Sequence, residues 1–257
     1  MSFNIRMATV LDGPNRWERR REALLKTILG SAPDILGCQE VSPMQRRFLE
    51  ERLAPEYVCV GSGRDADGRG EQTPIFWRSD RLELDQWWNF WLSPTPLAAG
   101  SRGWDAQLPR ICTLARLRCK ETPAHSFLVA NTHLDHRGRK ARGHSSRLLL
   151  DMLAQQRQDG DIQILLGDFN ALEGEPSMLH LRGALQDTFR KFAPRAGIRG
   201  GGTFHAFLGP YFPLPPRIDY IFADPRLQVE NCLVVRRRGE HKGFPSDHYP
   251  VVAELAW

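Results

Sequence analysis

Apolar residues along the chain fall into short runs separated by charged or glycine-rich stretches, and nowhere into one long block. SFNIR (2–6) reads as a first strand. Asn15 followed by Glu18 makes an approximate capping box, and Trp17, Arg21, Leu24, Leu25 and Ile28 then recur at helical spacing to about Gly30. DILGCQEV (34–41) follows as a buried strand, 42–53 as a second helix and YVCVGSG (57–63) as another strand. ICTLARLRC (111–119) alternates, SFLVANTHL (126–134) is apolar enough for a central strand, and HSSRLLLDMLAQQRQ (144–158) has the period of an amphipathic helix. Ile164 to Leu166 read as a buried strand closed by Gly167, with a short helix near 176–185 and strands over 217–223, 228–236 and 249–255. Trp87, Trp88, Phe90 and Trp91 are expected to pack an edge of the core. Residues 61–75, 93–109 and 197–207 are rich in Gly, Pro or charge, and loops of such length tend to carry function. Many strands with few helices predict a sheet-on-sheet core flanked by helices. No linker or fixed-period repeat divides the chain, so one domain over 1–257 is expected.

Five of the apolar runs stop at acid, amide or imidazole groups: Asn4 after SFN, Glu40 in ILGCQEV, His133 and Asp135 in VANTHLDH, Asp168 and Asn170 in LLGDFNA, and Asp219 in RIDYIF. In SDHYPVV, Asp247 and His248 stand just before the last strand. Each alone reads as a turn or cap residue. Six such places in one chain point to a site. Carboxylate and amide oxygens without a nearby thiolate suit Mg2+, Mn2+ or Ca2+ rather than structural zinc. Mg2+ takes few protein carboxylates and keeps room for a substrate phosphate, while the remaining acid and imidazole groups can move protons. That combination is the chemistry of phosphoester hydrolysis.

Composition narrows the partners. With 35 basic and 30 acidic residues in 257 the formal charge is +5, and RWERRRE (16–22), RGRKARGHSSR (137–147) and RRRGEHK (236–242) concentrate the basic groups. Such clusters suit phosphate-bearing partners, with solvated faces as the alternative. Cys38, Cys59, Cys112, Cys119 and Cys232 form no CxxC pair, which predicts reduced thiols. No run approaches the roughly 18 to 20 apolar residues of a membrane span, and the N-terminus lacks a signal-peptide core. The chain as given is therefore expected in the cytoplasm. SFNIR resembles the middle of a strand, and a missing N-terminal extension carrying a signal would make the protein a secreted one.

NTHLDH, LLGDFNA, RIDYIF and SDHYPV, in that order after SFNIR and ILGCQEV, resemble the endonuclease/exonuclease/phosphatase, or DNase I-like, superfamily over residues 2–255. The resemblance implies a four-layered α/β sandwich: two packed, mainly antiparallel sheets flanked by helices, with the active site at one edge. It makes Glu40 the principal Mg2+ ligand with Asn4 beside it, Mn2+ being the alternative ion, and gives Asp247 direct or water-mediated coordination. Asp168 would orient or deprotonate the attacking water and Asn170 donate to a phosphate oxygen. His248, polarised by Asp219, and His133 would contact the phosphate. Some members have an acid where this chain has Arg6, so a metal arrangement needing that acid is in doubt, and Arg6 is a candidate for substrate phosphate. WLSPTP (91–96), GW (103–104), HLDH (133–136) and TFHAF (203–207) resemble a bacterial branch on the CCR4 and nocturnin side.

The substrate-binding candidates are Arg6, His136, Arg142, Arg147 and His205, with Trp104 either stacking on a ligand or packing its own loop. The resulting expectation is a Mg2+-dependent phosphoester hydrolase using activated water without a covalent intermediate. A phosphodiester in nucleic acid or a nucleotide comes first. A small-molecule or phospholipid-headgroup phosphatase is the enzyme alternative, and a non-catalytic binding protein that keeps the fold is the remote one. A basic stripe leading from the site would mark a polymer substrate, and a closed positive pocket a small phosphate.

Overall fold

In the computed structural model, residues 1–237 and 243–256 are described. In chain order the elements that build the sandwich are β1 (Ser2–Asn4), α1 (Trp17–Ser31), β2 (Ile35–Gln39), α2 (Pro43–Leu53), β3 (Tyr57–Val60), β4 (Ile75–Arg78), β5 (Leu82–Trp91), β6 (Ile111–Cys119) and β7 (Ser126–His133). They continue with α3 (Arg139–Gln156), β8 (Ile162–Asp168), α4 (Pro176–Ala184), β9 (Gln186–Asp187), α5 (Thr188–Phe192), β10 (Asp219–Ala223), β11 (Gln228–Val234) and β12 (Val251–Ala256). One six-stranded sheet runs β11-β12-β1-β2-β4-β3 and the other β5-β6-β7-β8-β10-β9. The pairs β1–β2 and β7–β8 are parallel and the other pairings antiparallel.

Strand periodicity sorts the side chains into layers. On β8, Ile164 and Leu166 face the other sheet with Ile221, Val129 and Ile75, while Leu165 faces outward with Leu149, Met152 and Leu181 of α3 and α4. On the first sheet, Phe3, Leu36, Cys38 and Phe76 pack outward on Leu24, Leu25 and Ile28 of α1 and Leu49 of α2. Both sheets are thus buried on two faces, giving helix, sheet, sheet, helix. Contact between the sheets is close: a side chain on Gly37 would meet Leu166 Cδ1 at 2.0 Å. Gln39 Nε2 donates to Asn131 Oδ1 at 2.7 Å, and Asn131 Nδ2 donates to the carbonyls of Cys38 and Pro74 at 2.8 Å each.

Some local expectations are corrected. Asn15 does not cap α1: Val10–Asn15 wind as a 3-10 turn, and Arg16 precedes the helix without a side-chain cap. The reciprocal box belongs to Ser42 and Gln45 at the start of α2, where Pro43 supplies a fixed φ. Helix α3 begins at Arg139 rather than 144, because Asp105 from a distant loop accepts from the backbone of Lys140 and Ala141. β4 and β5 lie where no strand was read. β5 is the outer strand of its sheet, with Trp87 part-exposed and Phe90 and Trp91 buried, in keeping with the expected edge packing. All five cysteines are free. Among the described residues, no helix is long and apolar enough to cross a membrane.

Candidate active site

Register brings the polar strand ends to one level. The parallel pair β7–β8 sets His133 beside Asp168, and the antiparallel pair β8–β10 sets Asp168 beside Asp219. Gly167 permits this spacing, since a Cβ there would stand 2.1 Å from Thr132 O. From the other sheet, Asn4 ends β1, Glu40 follows β2, and Asp247 and His248 stand just before β12. Asn4 Nδ2 joins the two sheets, donating to Glu40 Oε1 and Asp168 Oδ2 at 2.9 Å each, while its Oδ1 accepts from the Arg6 backbone at 2.9 Å. Ser246 Oγ donates to the Asn4 carbonyl at 2.7 Å, fixing the Asp247–His248 segment to β1. Glu40, Asn170 and Arg6 all have left-handed backbone, with φ of 58°, 47° and 55°. Strain of this kind persists where surrounding structure holds it, commonly at functional sites.

Two imidazoles flank Asp168 Oδ2, His133 Nε2 at 3.6 Å and His248 Nε2 at 3.8 Å. Each has a buried carboxylate on its other nitrogen: Asp219 Oδ2 is 2.9 Å from His248 Nδ1, and Glu71 Oε1 is 2.7 Å from His133 Nδ1. Burial opposes charge on His248, but Asp219, Asp168 and Asp247 outweigh it and raise the imidazolium pKa to about 10. Burial, helped by Asp219, raises the Asp168 carboxyl, and burial likewise raises Asp247. Glu40 ends below its ordinary value, because His133 and the Asn4 hydrogen bond outweigh its own desolvation.

Sequence reasoning missed Glu71 and Arg110. Glu71 is buried in the 61–75 loop, where Arg64 and Arg110 face it. Desolvation would raise its pKa, yet His133 and the two guanidiniums bring it down to about 2. The loop's length was its one sequence signal. No periodicity marks which of its acids turns inward.

Residues 1–248 match the Endonuclease/Exonuclease/phosphatase family. The chain belongs to that family. Members of this family are phosphoester hydrolases. Among solved structures, the mannosyl-6-phosphatase of Bacteroides thetaiotaomicron is 34% identical with a TM-score of 0.89, the match covering 100% of this chain and 98% of that one. TDP2 of D. rerio, complexed with single-strand DNA product, is 18% identical with a TM-score of 0.79 over 100% and 97% of the two chains, a likeness of fold. Nocturnin of Drosophila melanogaster is 26% identical over 93% of this chain, which spans 42% of that protein's length.

Within this family fold the catalytic and metal candidates read from the sequence come together: Asn4, Glu40, His133, Asp168, Asn170, Asp219, Asp247 and His248 surround one edge of the sandwich. Donor atoms of Glu40, Asp168 and His248 lie within 4.8 Å of one another. Asn170 Nδ2 is 3.0 Å from His133 Nε2 and also donates to Leu134 O at 3.1 Å. Arg6 borders the group, its guanidinium paired with Asp12 at 2.9 Å and standing 4.0 and 3.9 Å from Glu40 and Asp247.

The outer candidates divide. His136 is exposed beside the group, with Arg110 Nη2 3.1 Å from its Nδ1. Arg142 is turned away into a buried pairing with Glu175 at 2.8 Å and the Asp135 carbonyl at 3.1 Å, so its charge is spent on anchoring α3. His205 is fully enclosed between Phe244 and Tyr249, its Nδ1 accepting from Gly209 N at 3.2 Å, and burial lowers its pKa to about 3. Neither side chain offers a surface to substrate. Arg147 meets His180 at 3.3 Å. Of the basic stretches, 16–22 lies mostly at the surface: Arg20 is buried against the carbonyls of Asn15 and Pro245, Arg16 and Arg19 are exposed, and Arg21 and Glu22 pair at the surface, Glu22 also with Arg52. Arg137, Arg139 and Lys140 are exposed with no side-chain partner among the described residues. Residues 238–242 of the third stretch lie outside the described residues.

Proposed function

We propose that the protein is a divalent-metal-dependent phosphoester hydrolase that adds water directly to phosphorus. The observation carrying this reading is the Asp168 carboxylate set between two imidazoles, each clamped from behind by its own buried carboxylate. The donor set suits a hard cation, since Glu40, Asp168 and Asp247 gather carboxylate oxygens, and burial leaves Asp168 and Asp247 short of compensating positive charge. Glu40 and Asp247 would hold Mg2+ or Mn2+, with Asn4 keeping Glu40 in place. When bound, the cation neutralises phosphate charge and stabilises the leaving oxygen.

The protein's own groups supply the rest. Asp168, with an elevated pKa, aligns the water and accepts its proton. His248 is an imidazolium at neutral pH and donates from Nε2 to the phosphoryl oxygens, while Asp219 keeps the Nδ1 proton in place. Asn170 Nδ2, 3.0 Å from His133 Nε2, would donate an N–H to a phosphate oxygen, with Glu71 holding the His133 ring in place from behind. No nucleophilic side chain is needed, so no covalent intermediate forms.

A phosphomonoester on a small alcohol of the sugar class is the first substrate reading, supported by the whole-chain similarity to a mannosyl-6-phosphatase. A phosphodiester in nucleic acid or a nucleotide is the second, supported by the exposed Arg137, Arg139 and Lys140. Phosphate release from mannose 6-phosphate and cleavage of an end-labelled single-stranded oligonucleotide would be followed with Mg2+ and with EDTA. Metal-dependent turnover that vanishes in Asp168→Asn supports the reading, and the reactive substrate chooses between its two forms. Turnover that survives EDTA or Asp168→Asn would overturn it.

A further inference from the structure

Two segments beside the candidate site are stapled into one wall. Asp135 accepts from Gln107 and Leu108 backbone N–H groups on one segment and from Arg137 and Gly138 on the other. Asp105 in turn accepts from Lys140 and Ala141, and a Cβ on Gly138 would stand 2.7 Å from Asp105 Oδ1. Arg110, buried under this wall, fixes His136. A guanidinium has donors only, so His136 Nδ1 must accept and the ring proton must sit on Nε2. Burial and then Arg110 hold His136 below the ordinary histidine pKa. The outcome is an exposed imidazole kept neutral, with a single N–H donor.

Trp104 stands on the same wall. Its φ of 56° is a backbone conformation that bulky residues seldom take, and its indole lies parallel on His144, 6° between planes and 4.7 Å between centroids. The ring nevertheless stays 38% exposed. A large aromatic held at an outlying φ, backed by a second ring and left open to solvent, is a poor packing element. It is a good platform.

Resting on the small-phosphate reading above, we propose that Trp104 and His136 bind the alcohol half of the substrate, and that this half is a polyhydroxylated ring. The C–H face of a sugar would lie on the indole, and one hydroxyl would accept from His136 Nε2–H. A neutral donor suits a hydroxyl, whereas further phosphate would call for a cation.

The test compares mannose 6-phosphate with glycerol 3-phosphate, which has no ring, in wild type, Trp104→Ala, His136→Ala and His136→Gln. Binding of both phosphates to the same variants is also measured by calorimetry in an Asp168→Asn background. Trp104→Ala and His136→Ala should each lower the ratio of kcat/KM values, sugar over glycerol phosphate, about tenfold, the effect of one neutral hydrogen bond or one stacked face. The loss should appear in KM and in calorimetric affinity. Gln keeps a neutral N–H, so His136→Gln should recover most of the ratio. An unchanged ratio and affinity in both Ala variants would overturn the proposal while leaving the hydrolase reading intact. Preference for a nucleotide over the sugar phosphate at this wall would also overturn it. Wild type that neither turns over nor binds either phosphate would sink the small-phosphate reading and the proposal with it.

Discussion

Replacing Glu71 with Gln isolates the charge behind His133. The carboxylate sits 2.7 Å from His133 Nδ1, with Arg110 3.5 Å away and Arg64 on its other oxygen. Gln preserves the shape but supplies one acceptor oxygen for three donors. A charge-assisted hydrogen bond becomes a neutral one, a loss of about 1 kcal/mol. Carboxylates that orient an active-site imidazole typically affect function by about 10- to 100-fold, or roughly 1.4 to 2.8 kcal/mol. Steady-state kinetics with Mg2+ should therefore show kcat down by that factor with KM little changed. Stability offers a second reading. Because the folded pKa is depressed from 4.5 to about 2, the Glu71 contribution is fully present above pH 4.5 and lost as pH falls through 2. Thermal melts of the wild type should drop across that window, and the variant's slope should be flatter. A folded Glu71→Gln protein with kcat within about twofold of wild type would refute the role given to the Glu71–His133 pair.

His248→Ala should lower kcat by about 10²- to 10⁴-fold with a near-native melt, and a loss under tenfold would assign the phosphate donor elsewhere. Asp219→Asn removes the largest support for charge on His248, so the alkaline limb of the kcat/KM profile should move to lower pH; an unmoved limb would mean that His248 does not set it. His205 is buried neutral with its pKa lowered to about 3, so the stability it allows is full above 6.5 and falls as acid protonates the unfolded chain. At pH 5 that amounts to about 2 kcal/mol, and His205→Gln should narrow the melting gap between pH 7 and pH 5; a gap as wide as wild type would reject this origin.

The inner site was legible because each part of it is local. LLGDFN, RID and SDH each put a polar group at the end of an apolar run, and strand register then sets those ends side by side. Glu71 and Arg110 were not legible, since their partners come from other segments and nothing in their neighbourhoods repeats. The same limit applies to Arg142, whose partner Glu175 lies 33 residues away. Its basic surroundings suggested phosphate, while the fold spends its charge inside. The Asn15–Glu18 pair had the spacing of a box, but the chain before α1 turns through a Gly13 at φ 52° and leaves Asn15 in a different turn. β4 is short and β5 carries a register shift between Leu84 and Gln86, which blurs the alternation a strand would show.

The Asn4 bond to Asp168 spans 164 residues of chain, and the Ser246 bond to the Asn4 carbonyl spans 242. Such separations place this protein at the slow end of folding, where loop closure must precede the contacts that reward it. Until β12 has docked against β1, His248 has no fixed place beside Asp168. Recovery of turnover on refolding should therefore lag behind the return of secondary structure, and no fragment ending before Asp247 would hold even a trace of the chemistry. The candidate site doubles as the molecule's own certificate of completion.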